Sequence, residues 1–151
     1  MYTNNMIITG TGSGLGKYLR KYFKAHGLIR NSSLDLINNE SVVVHCAYNN
    51  KKLTNDKCLE LYEDNVLLTE RILKKSPAIL VYMSSIEVYL DKEKNNHEDD
   101  DLKDGKYNDL YAEYKYLSEC LIKNYSTKNI IFRMPLLLDH ESRDNTVKKV
   151  I

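Results

Sequence analysis

Short apolar runs alternate along this chain with longer stretches in which apolar residues recur every three or four positions. Met6-Ile7-Ile8, running on to Thr9, predicts a short buried strand. Leu15 to His26 predicts a helix with Leu15, Leu19, Tyr22 and Phe23 on one face, and Gly27 stands where a C-cap glycine belongs. Leu28 to Arg30 fits a second, short strand. Val42 to Ala47 predicts a buried strand, followed by a polar loop from Tyr48 to Asn55. From Asp56 to Lys75 the period becomes helical, through Leu59, Tyr62, Val66, Leu67, Thr69, Ile72 and Leu73, and Ser76-Pro77 stops it. Ile79 to Ser84 predicts the next strand. Asp91 to Lys106 is acidic and polar, and a mobile surface loop is expected there. Tyr107 to Tyr125 predicts a helix with Leu110, Tyr114, Leu117 and Leu121 in register, and Ile130 to Met134 a last strand. Strands alternating with helices imply parallel βαβ units, hence an α/β fold. No repeat or linker divides the chain, so residues 1–151 are expected to form one domain.

Composition narrows the partners. The chain has 151 residues, 42% hydrophobic and 28% charged, enough for one domain with a real core. A net charge of +1 carries no footprint for nucleic acid or an anionic membrane. No apolar run is long enough to span a bilayer, and Met1 to Asn5 lacks the charged start and apolar core of a signal peptide. Cys46, Cys58 and Cys120 are odd in number and show no metal-ligand spacing, so reduced thiols and a cytoplasmic location are expected. His26, His97 and His140 form no metal pattern, and no metal is expected. A bias to Lys, Asn and Tyr runs throughout and carries no function.

The chemistry begins with Thr9-Gly10-Thr11-Gly12-Ser13-Gly14-Leu15-Gly16, which holds four of the six glycines between the first strand and the first helix. Ligands of such folds bind at the carboxyl ends of the strands. A pyrophosphate there must approach bare backbone at a helix N-terminus, and any Cβ in the turn would obstruct it. A purely structural glycine turn is the alternative; the strand–turn–helix context favours a dinucleotide. Tyr111 and Lys115 stand at i and i+4 on one predicted helix face. A nearby ammonium favours phenolate, which brings a Tyr toward proton transfer at working pH. Tyr48 and Lys52 repeat that spacing in a predicted loop, where it counts for little. Ser84-Ser85 ends a strand at the same rim, as a reactive hydroxyl or as a cap. His45, inside a Val-rich strand, reads as a packed or backbone-bonded histidine, and the charge run from Asp91 to Asp104 as solvated loop.

Together these pieces resemble the short-chain dehydrogenase/reductase superfamily, and more closely its extended branch, the NAD(P)-dependent epimerase/dehydratase family. The glycine stretch looks like the family's phosphate loop, with Ser13 where the extended branch has glycine. Val44-His45-Cys46-Ala47 resembles the strand end that lines the cofactor, and Asn65-Val66-Leu67-Leu68-Thr69 the helix whose Asn supports the site. Ser84-Ser85-Ile86-Glu87-Val88-Tyr89, Tyr111 with Lys115, and Phe132-Arg133-Met134-Pro135 resemble the three motifs that follow. The resemblance implies a Rossmann-like, doubly wound parallel sheet, shortened between the first and fourth family strands. It implies hydride transfer between a nicotinamide cofactor and a nucleotide sugar. Tyr111 would be the acid/base, Lys115 would hold the cofactor ribose and lower the Tyr pKa, and Ser85 would bond the reacting oxygen. Gly10, Gly12, Ser13, Gly14, Leu15, Gly16, Arg30, Cys46, Ala47, Asn65, Ser84, Tyr111, Lys115 and Pro135 would line the NADP or NAD site. Homodimerisation through the helices Asp56–Lys75 and Tyr107–Tyr125 is a family expectation.

Three departures shape the reading. Between Gly27 and Val42 the family fits a strand, a helix and another strand; here Leu28-Ile29-Arg30 and Leu34-Asp35-Leu36 are expected as strand remnants. Arg30 after the second strand leans the cofactor to NADP, with Asp35 as a rival ribose ligand. The chain stops at Ile151 where extended members continue into a substrate half, so a truncated enzyme or fragment is expected. Ile86 occupies the place of a dehydratase acid beside Glu87, which argues for an epimerase or reductase. The alternative is a non-catalytic NAD(P)-binding module that partners another chain and exposes an apolar face where the missing half would pack.

Overall fold

Five short strands, of which β1 and β3 are the richest in β-branched residues, form one all-parallel sheet. The computed structural model describes residues 5–49, 58–91, 95–100, 102, 107 and 109–135. In chain order they are β1 (Met6–Thr9), α1 (Gly14–Phe23), β2 (His26–Leu28), β3 (Val42–His45), α2 (Cys58–Tyr62), a π-helical turn (Glu63–Leu67), α3 (Leu68–Lys74), β4 (Ile79–Ser85), a 3-10 turn (Ile86–Val88), α4 (Leu110–Asn124) and β5 (Asn129–Met134). The strand order is β2-β1-β3-β4-β5. The chain moves one way from β1 to β2 and the other way from β3 onward, which makes the sheet doubly wound. The carboxyl ends of β1 and β3 meet at this switch point, with Thr9 opposite His45.

One face of the sheet carries the main core. Ile7, Val43, Leu80 and Tyr82 alternate along their strands with outward residues and pack on Ile72, Leu73 and Ile122 of the helices. The other face takes α1 over β1 and β2. On β5 the residues alternating with Ile131, namely Ile130 and Phe132, stay 45% and 50% exposed.

The structure moves several predicted boundaries. α1 ends at Phe23 because Lys24 adopts the left-handed conformation (φ 52°), so the C-cap expected at Gly27 falls three residues too late. Gly27 lies instead in β2, where an added Cβ would meet the side chain of Arg20 at 2.5 Å. The second strand is His26–Leu28 rather than Leu28 to Arg30. Leu34-Asp35-Leu36, expected as a strand remnant, is a turn, with Ser33 Oγ donating to Asp35 at 2.6 Å. α4 starts at Leu110 because the Asp109 carboxylate accepts from Ala112 N–H at 2.8 Å and caps it. Residues 56 and 57 of the helix predicted from Asp56, the Lys52 partner of Tyr48, and much of the acidic loop lie outside the described residues. Among the described residues, no helix is long and apolar enough to cross a membrane.

Candidate active site

The turn from β1 into α1 is shaped by two kinds of glycine. At Gly10 (φ +73°) a Cβ would lie 2.7 Å from the Ala47 backbone, so only glycine lets the loop after β3 close against this turn. At Gly12 and Gly14 a Cβ would meet no protein atom within 4 Å; their bare backbone faces open space. That space is a cavity of about 620 Å³, walled by the glycine turn, Leu15, Arg30, Cys46, Ala47, Tyr48, Met83 and Tyr111. The first turn of α1 opens onto it without an acidic residue. A bare-backbone turn at a helix N-terminus is a cradle for an anionic phosphate, and these residues fit the pyrophosphate of a dinucleotide.

Behind the cavity a buried polar network fixes its floor. Thr69 Oγ1 donates to the Asn65 carbonyl at 3.1 Å, so its oxygen accepts from His45 Nε2–H at 3.1 Å. His45 Nδ1 is then an acceptor, for the Thr9 hydroxyl at 2.7 Å, and Thr9 Oγ1 accepts from Ala47 N–H at 3.2 Å. Burial pushes the His45 pKa down to about 3, so the ring stays neutral. It is packed, as expected, but bonded to side chains rather than backbone. Asn65 completes the floor: its Oδ1 accepts from Asn49 N–H at 2.6 Å and its Nδ2 donates to the Asn49 carbonyl at 3.0 Å. The π-helical turn around Asn65 widens the helix that the sequence predicts, whose backbone stays helical from Cys58 to Lys74. It does so where Thr69 and Ser118 hydroxyls, at 3.1 and 3.4 Å, bond the Asn65 carbonyl.

The carboxyl end of β4 brings the Ser85 and Tyr111 side chains together. Ser85 Oγ accepts from Glu87 N–H at 3.2 Å and stands beside the Tyr111 side chain. Tyr111 stands on the first turn of α4, half-buried at the edge of a second cavity of about 370 Å³ that also reaches Ser84, Ser85, Glu87, Lys115, Met134 and Pro135. Burial holds the Tyr111 phenol above its ordinary value, and the neighbouring Ser85 hydroxyl draws it only partly back. Any lowering by Lys115 does not outweigh that burial. Lys115 Nζ donates to the Met83 carbonyl at 2.6 Å and lies 5.9 Å from the Tyr111 ring centre. Lys115 is 4% exposed, and burial pulls its ammonium down to about 8.

Not every predicted residue reaches the cavities in the same way. Ser84 lines the second cavity, yet its hydroxyl is committed to Glu119 Oε1 at 2.5 Å. Asn65 supports the wall from behind. Cys46 sits in both walls with its thiol pushed up to about 12 by burial. Arg30 faces the larger cavity, 3.6 Å from the Asp64 carboxylate, whereas Asp35 is held by Lys75 at 2.9 Å and does not line it. Sequence reasoning missed Tyr48, whose ring packs edge-on against Tyr111 at 4.8 Å. It also missed Glu119, fully buried and forked by Arg133 at 2.9 and 3.2 Å. Glu119 follows Tyr111 and Lys115 at the same four-residue step, a signal legible in the chain. Among the described residues no group of side chains is arranged to hold a metal ion.

No curated protein matches the sequence. Solved structures do match the fold. A short-chain dehydrogenase/reductase superfamily protein from Agrobacterium tumefaciens, with bound NAD, has a TM-score of 0.67 at 20% identity and covers 85% of this chain and 48% of its own. The dTDP-4-dehydrorhamnose reductase of Bacillus anthracis, in complex with NADP, has a TM-score of 0.70 at 20% identity, over 95% of this chain and 57% of that one. The UDP-glucuronic acid 4-epimerase of Bacillus cereus, in complex with NAD, has 0.67 at 18%, over 86% and 56%. The chain thus spans about half the length of these proteins, and at such identities the likeness shows the fold alone. A family model described as the NAD dependent epimerase/dehydratase family matches residues 29–151, from the end of β2 through every later element, and the chain belongs to that family.

Proposed function

We propose that this chain binds a nicotinamide dinucleotide on its glycine turn and carries the acid/base centre of a sugar-nucleotide epimerase or reductase. The observation that supports this best is the meeting of Ser85 and Tyr111 at the rim of β4, beside a cavity whose far wall is the bare Gly12–Gly14 backbone. Gly10, Gly12, Ser13, Gly14, Leu15 and Gly16 would hold the pyrophosphate, with Cys46 and Ala47 along the opposite wall. The nicotinamide, when bound, supplies the hydride chemistry. Tyr111 moves a proton to or from the reacting oxygen at its hydroxyl, and Ser85 Oγ orients that oxygen. The chain has Ile86, 43% exposed, where water elimination would need an acid, which favours epimerisation or reduction over dehydration. Arg30 in the cavity wall suits a 2′-phosphate and leans the cofactor to NADP; Asp35, tied to Lys75, is a poor rival. The family, the sugar-nucleotide epimerase and reductase named among the solved relatives, and the NAD and NADP bound to them support this reading.

A second reading, a binding module that partners another chain without turnover, draws on the open apolar side of β5 at Ile130 and Phe132. The two readings share the cofactor site and differ at Tyr111, whose hydroxyl only the first requires. Nuclear magnetic resonance of the labelled chain tests the shared part. Adding NADPH or NADH is expected to move the amide signals of Gly12, Gly14, Leu15, Cys46, Ala47 and Tyr111. Shifts confined to other surfaces would sink the site assignment.

A further inference from the structure

Lys115 should serve the dinucleotide cavity, yet it does not line it. The wall that separates the two cavities is built from Leu15, Cys46, Tyr48, Met83 and Tyr111, which face both, while Lys115 faces only the second. Its ammonium lies 4.8 Å from the Tyr82 ring centre, 5.1 Å from that of Tyr48 and 5.9 Å from that of Tyr111. Three aromatic rings and the Met83 carbonyl therefore surround a buried cation, the arrangement in which ring quadrupoles replace solvent. Tyr82 is buried in the core and Tyr111 stands beside Ser85. Tyr48 is the half-buried ring of the three that sits on a loop.

That loop is fixed on either side of Tyr48. Ala47 N–H is held by Thr9 Oγ1, and Asn49 is held at both N–H and carbonyl by Asn65. The backbone is pinned, so the freedom left at this position is rotation of the Tyr48 side chain. We propose that Tyr48 is a rotamer gate between the two cavities: its ring screens the Lys115 ammonium from the larger cavity and swings aside to admit a dinucleotide. This rests on the cofactor reading above. In the closed rotamer Lys115 is bonded to Met83 and covered by Tyr48. In the open one Lys115 exchanges the Tyr48 face for a ribose hydroxyl. Binding then selects the open rotamer, and apparent affinity is reduced by the fraction of molecules that are closed.

Removing the ring should therefore strengthen binding, the reverse of what removing a contact residue does. Calorimetric titration of wild type and Tyr48→Ala with NADPH and NADH is the first arm, with Tyr48→Val as a second truncation that keeps a β-branched loop residue. Truncation is expected to tighten binding on the order of tenfold. Unchanged or weaker binding by a folded truncation, against measurable binding by wild type, overturns the gate and leaves the cofactor reading standing. No binding by any of the three overturns the cofactor reading and the gate together. The second arm needs no cofactor: the pH titration of the labelled Lys115 side chain, assigned with Lys115→Met. Wild type is expected to titrate near the depressed value of about 8 that burial produces, with the neutral Cys46 thiol and the Glu119 carboxylate as its titratable neighbours. Tyr48→Ala admits water and should raise that midpoint, while Tyr48→Phe, which keeps the ring, should leave it in place. An unmoved midpoint in Tyr48→Ala shows that the ring does not screen the ammonium and overturns the gate.

Discussion

His45 shows how one residue joins fold and site. It stands in a strand where every neighbour is apolar, and it satisfies both ring nitrogens with hydroxyls from β1 and α3. The bond to Thr9 orients a hydroxyl that in turn holds the Ala47 N–H at the cavity wall. The ring is neutral in the fold, with a pKa near 3, whereas an unfolded histidine titrates at about 6.5. Between those values the unfolded chain binds the extra proton, so stability is complete above about pH 6.5 and falls as pH drops toward 3. The slope is roughly 1.4 kcal/mol per pH unit, so moving from pH 7 to 5 should cost about 2 kcal/mol through this residue. Urea midpoints at the two pH values read it, and His45→Gln should flatten the dependence. An equal fall in the variant would assign the acid sensitivity elsewhere. The burial of His45 was legible from its strand. Its partners were not, because alternation says which side of a sheet a residue faces and is silent on what it meets there.

At the scale of elements, helix α4 carries the site as a row. Tyr111, Lys115 and Glu119 follow one another at four-residue steps along it. The first meets Ser85, the second the Met83 carbonyl, and the third Ser84 and Arg133, so one helix grips the whole end of β4 and its neighbour β5. Arg133 extends the grip outward, to the Tyr89 hydroxyl at 2.9 Å and the Glu98 carbonyl at 3.1 Å, which ties down part of the acidic segment expected to be free. A buried ion pair broken at one end leaves an uncompensated charge. Glu119→Leu alone is expected to lose about 3–5 kcal/mol of stability. Glu119→Leu combined with Arg133→Met should recover most of it, a coupling that a double-mutant cycle in urea measures. Purely additive losses would show the pair to be energetically independent. The Tyr–Lys step was legible because its spacing is a known pattern; Glu119 shares that spacing but reads in isolation as a surface charge. Element ends were less legible than element types. Lys24 ends α1 without glycine, and Asp109 caps α4 inside a stretch that itself looks helical. The π-turn at Asn65 accompanies loop contacts, to Asn49, that no local pattern announces.

The whole molecule spans about half the length of its solved relatives and keeps an open crevice at the switch point of its sheet. Its switch point lies where β1 and β3 part, and the glycine turn and the Cys46–Asn49 loop face each other across it. The parallel sheet and the order of its motifs were legible because β1, β3 and β4 are built on continuous apolar runs separated by helical patterns. The shortage of residues between Gly27 and Val42 was legible, and two strand remnants were expected there; the first exists as an edge strand shifted to His26–Leu28, and Leu34-Asp35-Leu36 is a turn. Tyr48 escaped for a related reason: a polar loop gives no period from which to place a side chain. The exposed pair Ile130 and Phe132 marks a sheet side on β5 that the described helices leave open, which fits a chain spanning about half of its solved relatives.

We propose that the bare backbone at Gly12 serves a bound dinucleotide. Calorimetric titration of wild type and Gly12→Val with NADPH and NADH, with thermal unfolding of both proteins alongside, tests this most directly. A Cβ at Gly12 meets no protein atom, so the variant should unfold like wild type while losing the binding that wild type shows, with NADPH the tighter ligand. Equal binding by both proteins, or none by either, would contradict the account.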